Sequence, residues 1–138
     1  MKRNILVAAI LFIAFGAIAT AQPIAVQIAF KQKFTKVAQV NWSNENATVW
    51  QADFKIDQTK YSVVFTPQGA WLETIKMIKL NELPTNVRNS IFTKFPYWEI
   101  KEMNKTEKVK GEISYEVNLK KGRERKNIAY KEDGSIIQ

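Results

Sequence analysis

Apolar residues recur at four-residue steps over Val26, Phe30 and Phe34, with Ala29 on the same stripe, and again over Val87, Ile91 and Phe95. That spacing predicts two short helices, each with one buried face. Pro23 and Pro84 stand at their starts, where a missing backbone N–H costs no hydrogen bond. Beyond each stripe the period drops to two. Trp50, Ala52, Phe54 and Ile56 alternate with Gln51, Asp53 and Lys55, and Tyr61, Val63 and Phe65 alternate with Ser62 and Val64. Ile113, Tyr115, Val117 and Leu119 alternate with Ser114, Glu116 and Asn118. Such alternation predicts antiparallel strands with one face on a core and one toward solvent. Turns fall at Asp57-Gln58-Thr59, Pro67-Gln68-Gly69, Lys121-Gly122-Arg123 and Glu132-Asp133-Gly134.

The two series correspond. The helical stripes are offset by 61 positions, and the strands and turn glycines by 65, with a four-residue insertion near Lys105 to Lys110 accounting for the difference. The expected organisation is therefore α+β, as two tandem repeats, each a helix packed on an antiparallel sheet of about four strands. The first repeat would span residues 22–83 and the second 84–138. Ile75 to Leu83 would connect them, partly as strand and partly as a helical turn.

Residues 1–21 follow a different pattern. Lys2 and Arg3 precede an apolar run from Ile5 to Ile18, and Ala19-Thr20-Ala21 forms a small-x-small triplet. This is the layout of an export signal peptide. A membrane anchor is the alternative, but the run is shorter than the ~20 residues that span a bilayer core. Cleavage after Ala21 would leave 117 of the 138 residues and lower the formal charge from +8 to +6. The expected location is periplasmic or secreted, with no stable membrane insertion after cleavage.

Composition narrows the chemistry sharply. Cysteine and histidine are both absent, so disulfides, thiolate nucleophiles, Cys/His zinc sites and Ser-His-Asp triads are excluded. Five scattered glycines form no phosphate-binding loop. Carboxylates alone remain for acid–base work, and Asp53 and Glu73 are the pair that adjacent strands would bring together. The preferred reading of the two is plainer: a solvent-facing strand residue and a surface charge, with Asp53 on the polar side of its alternation. No cofactor, metal site or catalytic residue is expected, and the chain reads as a non-enzyme.

Binding is the remaining function, and two features carry it. Tyr97 and Trp98 follow Pro96 in a loop, and aromatic residues anchor protein interfaces because they bury large area while keeping a polar tip. Lys120, Lys121, Arg123, Arg125 and Lys126 crowd the second hairpin, with Lys121, Arg123 and Arg125 as its candidate contact residues. The second repeat carries 12 basic and 8 acidic residues against 7 and 5 in the first. The expected partner is an envelope or secreted protein. The alternative is an anionic envelope polymer or ligand held by the basic hairpin. A solvated strand face, with Glu112, Glu116 and Glu124 interleaved, accounts for the same charges. Nucleic acid is not expected as a partner of an exported chain.

Several segments together resemble the PepSY-like, β-lactamase-inhibitor-like domains of exported Bacteroidetes proteins. Ala29-Phe30 and Phe34 ahead of Val40-Asn41-Trp42 are similar to the opening of that family. Val64-Phe65-Thr66-Pro67-Gln68-Gly69-Ala70-Trp71-Leu72-Glu73-Thr74 resembles its central segment. Glu82-Leu83-Pro84, Tyr115-Glu116-Val117 and Asp133-Gly134 complete the pattern, which covers nearly all of residues 22–138. Phe34-Thr35 departs from the Phe-Pro that the family often places after its first helix, whereas Phe95-Pro96 keeps it. The resemblance implies a tandem helix-plus-four-strand fold and an inhibitor-like binding shape. It implies no catalytic or cofactor residues.

The export signal makes a direct prediction. Mass spectrometry of the exported protein will find Gln22, or its pyroglutamate form, at the N-terminus; an intact Met1 in the membrane fraction contradicts it.

Overall fold

The computed structural model describes residues 21–45 and 48–137. The expected export signal lies outside the described residues, save for Ala21. The order of elements is α1 (Ile24–Lys33), β1 (Asn41–Glu45), β2 (Val49–Ile56), β3 (Thr59–Phe65), β4 (Trp71–Met77), a 3₁₀ turn over Leu80–Glu82, α2 (Thr85–Lys94), β5 (Glu99–Lys108), β6 (Ile113–Lys121) and β7 (Glu124–Tyr130). Both helices start where the stripes require. The Pro23 carbonyl accepts from the Val26 and Gln27 amides at 3.0 and 3.1 Å, and the Pro84 carbonyl from Arg88 at 3.0 Å. Among the described residues no helix is long and apolar enough to cross a membrane.

The sheet corrects the expected fold class. The molecule is not two tandem helix-on-sheet repeats; all seven strands form one antiparallel meander in the order β1 to β7. The join is the pairing of β4 with β5, which sets Glu73 opposite Lys108 and Met77 opposite Asn104. Alternation within a strand records which face is buried but not which strand lies along its edge, and a free β4 edge offers backbone groups that a neighbour will take. Residues 105–108 lie within β5, lengthening it to ten residues so that it reaches β4 as well as β6. A fourth strand is also missing at the far end. Ile136 makes only an isolated bridge to Tyr130 beyond the Glu132-Asp133-Gly134 turn.

Both helices pack on one face of this sheet, over separate apolar clusters. Val26 and Phe30 of α1 meet Trp50, Ala52, Phe54, Val63 and Phe65. The aromatic contacts are close: Phe30 meets Phe54 edge-on at 5.2 Å and Phe54 stacks on Tyr61 at 5.5 Å. Each such pair adds ~0.5–1.5 kcal/mol beyond the area it buries. Val87 and Ile91 of α2 meet Ile78, Leu83, Tyr115, Val117, Leu119 and Tyr130. Between the clusters, Thr74 and Lys76 of β4 pair with Glu107 and Lys105 of β5 on this same face. The Lys105–Glu107 ion pair, at 3.0 Å, lies on this polar seam between the two clusters.

Two turn glycines let the helices approach. Gly69 (φ +86°) lies against the backbone of Ala25 at the start of α1, and Gly134 (φ +87°) against that of Asn86 at the start of α2. A Cβ would stand 2.6 Å from the Ala25 carbonyl oxygen and 2.5 Å from that of Asn86, inside van der Waals contact. Gly111 shares the left-handed backbone (φ +79°) but faces open space. Chemical denaturation will therefore rank Gly134→Ala well above Gly111→Ala in cost, because only the former adds a steric clash to the conformational penalty of ~1 kcal/mol. In the same assay Ile91→Ala, at a site 1% exposed, will cost about 2–5 kcal/mol. Equal costs for the two glycines would mean that the turn does not seat the helix.

Candidate functional site

With both helices on one side, the other face of the sheet carries no helix. Its residues are the alternate positions of each strand: Asn41 and Ser43 on β1, Gln51 and Asp53 on β2, and Ser62 and Val64 on β3. Glu73, Ile75 and Met77 follow on β4, Asn104 and Thr106 on β5, Glu116 and Asn118 on β6, and Asn127 on β7. The register aligns them strand to strand, with Asp53 opposite Ser62, Ser62 opposite Ile75, and Ile75 opposite Thr106. The face is polar and mixed in charge, with Ile75 and Met77 as an apolar strip near its middle.

Hydrogen bonds fix much of this surface. The Gln51 amide donates to both Asp53 carboxylate oxygens, at 2.9 and 3.1 Å, and the nearly buried Ser62 hydroxyl donates to the same carboxylate. Asn104 donates to Glu102 at 3.2 Å, and Asn127 donates to Glu116. Asp53 and Glu73 do not meet. They lie two strands apart, about 10 Å at the usual strand spacing, with β3 between them, and Glu73 stands opposite Lys108. Asp53 therefore organises its neighbours as a hydrogen-bond acceptor rather than forming half of an acid–base pair. Among the described residues no three carboxylates gather as a metal would need.

A hollow of about 610 Å³ opens on this face. Ser62, Ile75, Met77 and Asn104 line its floor, with Lys60, Lys101, Arg125 and Lys126 among its cationic residues and Glu102 and Glu116 its acidic ones. It lies where β4 ends. Alternation shows that the side chains of Ser62, Ile75, Met77 and Asn104 point away from the core. That they converge follows only from the order of the strands.

The residues singled out in the sequence lie at one end of the sheet. Tyr97 is 82% exposed. Trp98 is half-buried, packs edge-on against Phe95 at 6.1 Å and borders the α2 cluster. The Lys126 ammonium sits 5.5 Å from the Trp98 ring centre, so the aromatic loop and the basic hairpin touch. Lys121 and Arg123 are exposed at the hairpin tip. Of the three hairpin residues proposed for contact, only Arg125 lines the hollow. Lys120 and Arg125 stand directly opposite each other, a like-charge pair that costs stability unless an anion lies near.

Solved structures share this architecture. A Bacteroides eggerthii protein, whose given name places it provisionally in the periplasm, superposes with a TM-score of 0.80 at 22% identity, covering 86% of this chain and 88% of that one. A DUF2874 family protein from Bacteroides ovatus gives 0.78 at 20% identity, covering 87% of each chain. A BLIP-like protein from Bacteroides fragilis gives 0.72 at 20% identity over 89% and 86% of the two chains. The chain has the BLIP-like fold. No protein-family model matches it, and no curated protein does. At these identities the likeness extends to the BLIP-like backbone and not to particular side chains.

The loop residues are separable by experiment. Trp98→Ala will destabilise the fold by about 2 kcal/mol or more, since a partly buried ring leaves a cavity. Tyr97→Ala will change stability by less than ~0.5 kcal/mol, as exposed positions do. Thermal unfolding of the two variants checks both, and a neutral Trp98→Ala would free that ring for a purely external role.

Proposed function

We propose that this BLIP-like chain is an exported, non-enzymatic module that binds a protein partner through the helix-free face of its sheet. The observation that carries this reading is the hollow on that face, where an apolar strip of Ile75 and Met77 lies among hydrogen-bonded polar side chains and charges of both signs. Protein interfaces have this anatomy: an apolar centre, a polar rim and few unsatisfied groups. The named neighbours, one BLIP-like and one provisionally periplasmic, support the same direction. Inhibition of an envelope enzyme is the narrower form of the proposal.

A second reading draws on the opposed Lys120 and Arg125 and on the exposed Lys121 and Arg123. These would hold an anionic envelope polymer. Binding of that kind weakens steeply with salt, and replacing Lys121, Arg123 and Arg125 by Ser would abolish it.

The test uses the immobilised chain and an envelope extract. Met77→Arg places a charge in the apolar strip and will reduce capture of a partner at least about tenfold, equal to ~1.4 kcal/mol, while leaving the melting temperature within about 2 °C. Ile28→Lys, on the outward side of α1 where Ile28 is 51% exposed, will leave capture intact. Loss of capture in Ile28→Lys but not in Met77→Arg would move the interface to the helices.

A further inference from the structure

The helices carry apolar side chains on the side that faces away from the sheet. Two residues of α-helix turn the chain by ~200°. Ile24 and Ile28 therefore lie on the opposite side of α1 from the buried Val26 and Phe30. Ile24 is 74% exposed, and Lys31 follows Ile28 on the same side, one turn on. A second ridge runs along α2. Phe92, one residue past the buried Ile91, is 52% exposed, and Leu80 of the 3₁₀ turn is 41% exposed. These two share a shallow hollow of about 580 Å³ with Lys79, Thr85, Arg88 and Asn89.

The helices themselves carry charge of one sign. Neither contains an acidic residue, and each ends on a lysine. Among the described residues Lys31 and Arg88 make no ion pair. Glu82, the carboxylate of the 3₁₀ turn, is already engaged by the Lys76 ammonium and the Lys79 amide, and Glu107 of the seam by Lys105. Glu132 and Asp133 stand in the turn that seats Gly134 against the start of α2, and the Asp133 carboxylate accepts from Ser135. The two ridges are separate, since α1 and α2 lie over different clusters with the polar β4–β5 seam between them. A rigid protein surface resting on both ridges leaves a gap over the seam, whereas a fluid surface conforms to each.

We infer that the helix side is a docking surface for an anionic phospholipid bilayer. Ile24, Ile28, Leu80 and Phe92 enter the boundary between headgroups and acyl chains, while Lys31, Lys79 and Arg88 stay among the phosphates. Binding of this kind scales with the apolar area buried plus the attraction to anionic headgroups, and each ridge supplies both. The association is peripheral, with the helices lying along the surface; among the described residues no helix is long and apolar enough to cross. In sequence only Gln22 and Pro23 separate α1 from the expected cleavage site, so α1 is the first element to meet that surface on export. The inference is independent of the proposed partner site. With the helices against the bilayer, the helix-free face points away from it and stays open.

The test uses the chain from Gln22, which contains every described element, so that the apolar run before it cannot bind lipid on its own account. Sedimentation with sucrose-loaded vesicles measures partitioning. Phosphatidylcholine with about one-third phosphatidylglycerol is expected to bind at least about tenfold more tightly than phosphatidylcholine alone. Ile28→Glu and Phe92→Glu, both at exposed positions, will each weaken binding to the mixed vesicles at least about tenfold. Val109→Glu makes the same change in a hollow shared with Val64, whose alternation places it on the helix-free face. It will change binding by less than about threefold, because a charge beyond a screening length of the lipid acts weakly. Equal partitioning on the two vesicles, or none at millimolar lipid, overturns the inference. So does a loss in Val109→Glu equal to that in Ile28→Glu, since net charge and not the helix side would then govern. A concentration-dependent dimer in the absence of lipid, broken by Ile28→Glu, would assign the ridges to a second copy of the chain and overturn it as well. Met77→Arg will not weaken vesicle binding, so failure of the lipid surface and failure of the partner site are read separately.

Discussion

The register between β4 and β5 governs the rest of the molecule. Opposed residues in an antiparallel pair share a face, so one row runs from Ala52 through Val63 and Thr74 to Glu107 and Ile113. The cluster under α1 lies on that row's side of the sheet, and so does the cluster under α2. A slip of one residue at β4–β5 would send the second cluster to the opposite face. Both faces would then carry a helix and neither would be available for binding. The helix-free face is thus a consequence of five residue pairs at the centre of the sheet. Those pairs are polar on the helix side, where Lys76 stands opposite Lys105 and Thr74 opposite Glu107. Packing under a helix contributes nothing there, and the ladder of backbone bonds and the Lys105–Glu107 pair hold the join.

The sequence made the parts legible and left their assembly hidden. Both helices start after their prolines, and the alternating apolar positions Trp50, Ala52, Phe54, Tyr115, Val117 and Leu119 are all buried. These features are local, and a period of two or 3.6 residues encodes them within a few neighbours. The pairing of β4 with β5 is not local in that sense, since 21 residues and a helix separate Met77 from Glu99. The segment at Lys105–Lys110 shows the difficulty. An insertion suggests a longer loop, whereas here it extends a strand toward a second partner.

The same limit applied to the site. Exposed aromatics and a run of basic residues stand out in a sequence, so Tyr97, Trp98, Lys121, Arg123 and Arg125 drew attention. The structure divides them: Trp98 borders the core, Tyr97, Lys121 and Arg123 face solvent, and Arg125 reaches the hollow. Ile75 and Met77, by contrast, carry no mark in the sequence. They continue a period-two pattern on the side that usually meets solvent, and only the absence of a helix over them makes them notable.

Why β4 stops at Met77 follows from what comes next. Ile78 and Leu83 must both enter the cluster beneath α2, and five residues of extended chain would carry Leu83 far past it. The chain therefore folds into a 3₁₀ turn. Glu82 fastens that turn to the strand, accepting from the Lys79 amide at 2.8 Å and the Lys76 ammonium at 3.0 Å. These bonds, the amide first, hold the Glu82 carboxyl below the usual carboxylate range, while the same contact raises Lys76 above its ordinary value. Pro84 then lacks the N–H that a continuing central strand would need and opens the helix instead. The demand that α2 reach its cluster and the interruption of the sheet are thus one constraint. The start of β5, paired with β6 alone, is left without a second strand by the route the chain must take to begin its second helix.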